Sequence, residues 1–233
     1  MVSKVWIFGI LCLAFLGVSS AEINCRERIY QQCTYPTLFG RIPRSVIEYN
    51  HICPELKNYV KCLKNYQDAC TPKFNIAFES EEMYESTLAV FSDLCERNNL
   101  LYTAVTENLR CLNDTFGRTL CVDETEAIIE AYTSRTSKTT TSDDDLPFDI
   151  FCLQDVLEAG CITHDISKNC GSCAKDAAAE LIRRTHFIEE SCSMQDVKEI
   201  LLNVNQYELM ESQKDILTET LHKFIRRHED CKQ

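Results

Sequence analysis

The chain predicts an all-α fold, a disulfide-stapled helical bundle. Three observations carry that prediction. Apolar residues recur at helical spacing along most of the 233 residues. Alternating strand patterns bounded by turn signals are nearly absent, and only six glycines and five prolines punctuate the chain. Fifteen cysteines supply the staples.

The N-terminus, residues 1–21, reads as an export leader. Basic Lys4 precedes a 14-residue apolar run from Val5 to Val18, and Ser19 to Ala21 offers small residues for cleavage before Glu22. The run is short of the roughly 20 apolar residues that a membrane span needs. The expected product is therefore secreted and extracellular, 212 residues long, with no membrane span.

Cys12 leaves with the leader. The other fourteen are expected to be disulfide-bonded in an oxidising compartment: Cys25, Cys33, Cys53, Cys62, Cys70, Cys95, Cys111, Cys121, Cys152, Cys161, Cys170, Cys173, Cys192 and Cys231. Spacing alone does not fix their pairing. A chain of this length can bury a core without staples, so each bridge adds about 2–4 kcal/mol to a core rather than replacing one. The mature chain carries 23 basic and 36 acidic side chains, a net charge of −13. That charge excludes nucleic acid and anionic lipid as natural partners and favours solubility in a protein-rich fluid.

The predicted helices follow in order. Residues 54–70 open with Pro54 in the first turn and set Leu56, Tyr59, Val60, Leu63 and Tyr66 on one stripe. Ser80 is the expected N-cap of the next helix, with acids in its first turn and Met83, Thr87, Val90, Phe91 and Leu94 on one side. Residues 99–112 continue in the same style. Further helices are expected at 148–160, 173–192, 193–204 and 206–231.

Residues 133–145 contain eight Ser or Thr and no large apolar side chain, so 133–147 reads as an exposed linker. It divides the mature chain into two expected helical subdomains, 22–132 and 148–233. Eight cysteines precede it and six follow, so each half could close its own bridges. A weak repeat accompanies this division. Cys53-x8-Cys62-x7-Cys70-x24-Cys95 is similar to Cys152-x8-Cys161-x8-Cys170-x21-Cys192. Duplication of a helical unit or two independent hairpins would both produce it.

Two motifs suggest chemistry. Cys170 and Cys173 form a Cys-x-x-Cys at a helix start, where a thiol pKa falls and redox chemistry becomes accessible. The surrounding sequence lacks a strand–helix–strand pattern, and no second ligand pair has zinc spacing. The pair therefore reads as two structural bridges to other helices. Residues 161–165, Cys-Ile-Thr-His-Asp, match the Cys-x-x-His-Asp core of secreted phospholipases A, with His164 and Asp165 in the catalytic positions. Gly160 and Ser167 stand where those enzymes carry cysteines, and no glycine-rich calcium loop lies upstream. His164 thus reads as a loop residue between helices.

No Gly-x-Ser-x-Gly elbow, His-Glu-x-x-His or phosphate-binding loop occurs. The acids of 143–149 lack calcium-loop spacing, and Arg183-Arg184 and Arg226-Arg227 read as solvated helix faces. No cofactor and no metal is expected. Asn113-Asp114-Thr115 is an N-glycosylation acceptor, read as lying in a polar connection after a helix.

The run 53–70, with 91–114, 151–161 and 169–178, is similar to secreted cysteine-rich helical proteins of arthropods and nematodes. That group includes haemolymph glycoprotein-like chains and gland or venom components. The resemblance implies an extracellular, all-helical, disulfide-bonded protein and brings no catalytic site with it. The expected function is non-enzymatic binding of an extracellular protein or of an apolar small molecule lodged between helices. The alternatives are a redox protein acting through Cys170 and Cys173, or a hydrolase acting through His164 and Asp165.

Overall fold

The computed structural model describes residues 23–74, 76–136, 150–207, 209 and 211–230. The leader, residues 137–149 and Cys231 lie outside them. The described residues form helices and connections, with no strand among them.

Three short helices, α1 (Ile29–Gln32), α2 (Thr37–Gly40) and α3 (Val46–Ile52), lead into α4 (Pro54–Cys70). Pro54 does open α4, where a missing N–H costs nothing. Helix α5 (Glu81–Cys95) is capped by Ser80, whose side chain accepts from Met83 N. All five residues of its predicted stripe are buried. On α4, Leu56, Val60 and Tyr66 are buried, while Tyr59 and Leu63 are half-buried.

The predicted helix 99–112 is two helices, α6 (Leu100–Glu107) and α7 (Leu109–Phe116). Asn108 breaks it: its Nδ2 donates to Ala104 O at 2.8 Å, competing with the helical backbone. Helix α8 (Cys121–Thr136) has no counterpart among the predicted helices, and it takes in residues 133–136 of the expected linker.

Helix α9 (Ile150–Cys170) runs through the 160–165 segment read as a loop. Gly160 is buried inside it, where a small residue lets neighbours approach. Gly171, at φ +86°, then reverses the chain, a backbone shape that glycine adopts without a steric penalty. Helix α10 (Ser172–Arg184) folds back on α9. It ends eight residues before Cys192 instead of reaching it. Thr185 Oγ1 turns back to Leu181 O, His186 sits at φ +56°, and turns carry the chain onward. Helices α11 (Met194–Leu202) and α12 (Glu211–Asp230) close the fold, joined by a 3-10 turn at Val204–Gln206.

The bridges organise these helices. Cys25 pairs with Cys70, Cys33 with Cys62 and Cys53 with Cys95. Cys111 pairs with Cys170, Cys121 with Cys161 and Cys152 with Cys192. Numbered within each set of six, both sets pair first to fifth, second to fourth and third to sixth. In each set the third, fourth and fifth cysteines lie on or beside one long helix, α4 or α9. A spacing of nine residues is about half a turn out of phase, so bridges nine residues apart leave opposite sides of that helix. Two independent hairpins would have no reason to share this order. The shared order is what duplication of one helical unit would leave.

The units do not meet at residues 133–147. Cys111–Cys170 and Cys121–Cys161 both span that segment, which lies between the second and third cysteines of the second unit. The halves therefore do not close their own bridges, and the division at the linker is corrected. The boundary between units falls between Cys95 and Cys111. Each unit has its own apolar core, one around Val60, Val90 and Phe91 and one around Leu153, Val156 and Leu221. A third cluster of Leu112, Ile166 and Ala174 packs where α7, α9 and α10 meet.

Candidate functional site

Cys170 is bridged to Cys111, so the Cys-x-x-Cys is not a closed pair. Cys173 is exposed and is the free thiol among the described residues. Of the two cysteines expected to bridge to other helices, Cys170 does so. Cys231, the remaining candidate partner for Cys173, lies outside the described residues.

His164 is exposed on α9, not in a loop, and its neighbour Asp165 points about 100° away around the helix. Asp165 accepts from Thr119 Oγ1 at 2.7 Å, which fixes its carboxylate against the start of α8. Both residues border a cavity of about 320 Å³ with Glu124, Lys168 and Gln213. Cys121, Cys161 and Asp165 place ligand-type atoms within 4.8 Å of one another. The two sulfurs are joined to each other, so neither is a thiolate that could hold a metal.

Asn113 lies within α7 rather than in a connection. Thr115 of its acceptor triplet is buried, and its Oγ1 accepts from Asn169 Nδ2 at 3.3 Å. Arg183 and Arg184 are not merely solvated. Arg183 pairs with Glu180 on its own helix, and Arg184 with Asp93 on α5.

One concavity lies between the two units. A cleft of about 660 Å³ runs between α4, α5, the 71–80 connection and the turn after α10. Its walls are Val60, Leu63, Met83, Phe91, Leu181 and Ile182, and Tyr30, Phe39, Ile76 and Phe187 are exposed on its rim. Tyr35, Phe39 and Tyr59 pack edge to face with centroids 5.3–6.1 Å apart, a geometry aromatic rings favour.

Phe39, Phe91 and Leu181 are also walls of a second cavity of about 520 Å³. Arg41 is its one charged lining residue among those described. The space exists because α10 presents Ala174, Ala177 and Ala178 where larger side chains would fill it. The Ala177–Ala179 run is the sequence signal for it, legible only once a facing helix is known.

The far wall of the cleft is pinned by one side chain. Gln67 is buried on α4; its Oε1 accepts from Ala77 N at 2.9 Å and Phe78 N at 3.0 Å, and its Nε2 donates to Phe78 O at 3.0 Å. On the near wall, Glu190 is held two residues from the Cys152–Cys192 bridge. Glu190 is exposed, yet crowding by neighbouring protein atoms raises its carboxyl to about 7, and the negative charges of Asp155, Glu79 and Glu189 push the same way.

Comparison of the chain with protein-family models, with curated proteins and with solved structures finds no match. Six disulfides, and no helix among the described residues long and apolar enough to cross a membrane, fit an extracellular protein.

Proposed function

We propose that this is a secreted, non-enzymatic protein that binds an apolar small molecule between its two disulfide-bonded units. One observation carries the reading: the 660 Å³ cleft and the 520 Å³ cavity share Phe39, Phe91 and Leu181 as a common wall. Both volumes fall in the range of small-molecule sites, whose linings are mostly apolar with a few placed polar groups. The leader, the bridges and the acidic charge support release into an extracellular fluid.

The test is fluorescence titration of the secreted protein with N-phenyl-1-naphthylamine, which brightens on entering an apolar site. The mature chain has no tryptophan, since Trp6 belongs to the leader, so the probe is excited without protein background. Saturable binding near one probe per chain is expected. Ala178→Phe, which fills the inner cavity, and Phe39→Ala, which removes part of the shared wall, should each change the affinity while circular dichroism stays helical. A titration that never saturates would sink the proposal.

A further inference from the structure

Asn113-Asp114-Thr115 is the chain's one N-glycosylation acceptor triplet. In the folded protein it lies wholly inside α7. Side chains two residues apart on a helix point about 200° apart, so the Asn113 amide and the Thr115 hydroxyl face opposite ways. A glycosyl transferase has to engage both at once, so it cannot read the triplet while α7 is wound. Thr115 is also sealed, at 5% exposure. Its Oγ1 accepts from Asn169 Nδ2 at 3.3 Å. It donates toward Cys170 Sγ at 3.6 Å, since a bridged sulfur has no proton to give. The hydroxyl is thus engaged as acceptor and as donor, both times by the last residues of α9.

A second, independent observation concerns the order of synthesis. Cys111, two residues before the acceptor, is bridged to Cys170, at a sequence separation of 59. A chain made at about 5–20 residues per second leaves roughly 3–12 s between the two cysteines. In that interval neither the bridge nor the Asn169 and Cys170 contacts of Thr115 exist. Helix α7, eight residues long, is too short to hold by itself. Asn113 is half-buried and not sealed, and its helix neighbours Arg110, Phe116 and Gly117 are exposed. A sugar attached in the interval therefore stays outside the core when the fold closes.

We infer that Asn113 is glycosylated only on the unfinished chain, and that closure of Cys111–Cys170 ends its acceptance. This rests on the secretion reading above, since the donor, a lipid-pyrophosphate oligosaccharide, is met during export. Asn113 Nδ2 attacks the anomeric carbon of the donor sugar. An N–C bond forms, and the C–O bond to the pyrophosphate breaks. The lipid pyrophosphate leaves with the electron pair of that bond, and Nδ2 gives a proton to the transferase. Bridge closure passes two electrons and two protons from the thiols to a disulfide donor of the export compartment. The two reactions compete for one stretch of chain. The secreted protein therefore carries bare and glycosylated forms, in a ratio set by how fast the bridge closes.

The experiment is cell-free translation of the full chain with microsomes, read as the mass removed by a peptide-N-glycosidase, with Asn113→Gln as the bare reference. Under oxidising translation the acceptor should be partly filled. Dithiothreitol, or the double variant Cys111→Ser/Cys170→Ser, should raise the filled fraction about twofold or more. The double variant Cys25→Ser/Cys70→Ser should leave it unchanged, which separates this bridge from a general loss of fold. A filled fraction that Cys111→Ser/Cys170→Ser does not raise, whether empty, partial or complete, overturns the inference. So does an equal rise on loss of Cys25–Cys70. A chain that does not enter the microsomes refutes the secretion reading instead, and a heterologous leader in place of residues 1–21 then tests Asn113 alone.

Discussion

Arg184 Nη1 donates to Asp93 Oδ2 at 2.6 Å, an ion pair that joins α10 of the second unit to α5 of the first. Both side chains are mostly shielded, at 18% and 28% exposure, so solvent screens them less than a surface pair. Arg184→Met keeps the aliphatic stem and removes the charge. It should cost about 1 kcal/mol in urea unfolding, and the double variant with Asp93→Ala should cost less than the sum of the singles. Additive losses would show that the two side chains do not couple.

Gln67 is the polar side chain on which the cleft wall depends most. Gln67→Leu leaves the N–H groups of Ala77 and Phe78 and the C=O of Phe78 without their partner. The expected cost is about 2–4 kcal/mol. Hydrogen exchange should accelerate at Ala77 and Phe78 well before the rest of the chain is affected. Unchanged exchange at those two amides would mean the connection is held by something else.

Glu190 makes stability depend on pH in a direction opposite to most carboxylates. Its folded carboxyl protonates near 7, against an ordinary value of 4.5 in the unfolded chain. Between those values the folded state holds the extra proton, so stability is full below about 4.5 and falls as pH rises through 7. Glu190→Gln should therefore melt higher than the parent at pH 8, and the gap should close by about pH 4.5. A difference that is constant across that range would place the charge elsewhere.

The cysteine order is open to a direct check. Unreduced proteolysis and mass spectrometry should return the six paired peptides, including Cys111–Cys170 and Cys121–Cys161. Alkylation before reduction should label Cys173, the exposed free thiol. A peptide joining Cys173 to Cys231 would refute that expectation and restore the seven bridges that the cysteine count implies.

The all-helical class is legible in the sequence because it rests on local periodicity. The stripes on 54–70 and 80–95 name residues that are in fact buried or line the cleft, and Ser80 and Pro54 act as caps and openers do anywhere. The early short helices and α8 are not legible. Their cysteines and polar residues carry too weak an apolar repeat, and their order comes from bridges to distant partners. Gly160 reads as a stop for the 148–160 helix, whereas in the fold it is buried against neighbouring helices. The polar stretch at 133–147 misplaces the boundary between units for a topological reason. Composition shows where a chain is polar but not which cysteines reach across it. The cleft is invisible for the same reason, since its walls come from residues 120 or more positions apart, such as Val60 and Leu181.

The segment between Thr136 and Ile150 lies inside the loops closed by Cys111–Cys170 and Cys121–Cys161. A protease that cut there would not release a fragment. It would convert one polypeptide into two that remain covalently joined at two points, with the Val60 and Leu181 walls of the cleft now on different chains. Such a species would run as a single molecule until reduced, then part into pieces of unequal size. Clipping at that polar stretch would leave the two walls of the cleft covalently tied to each other.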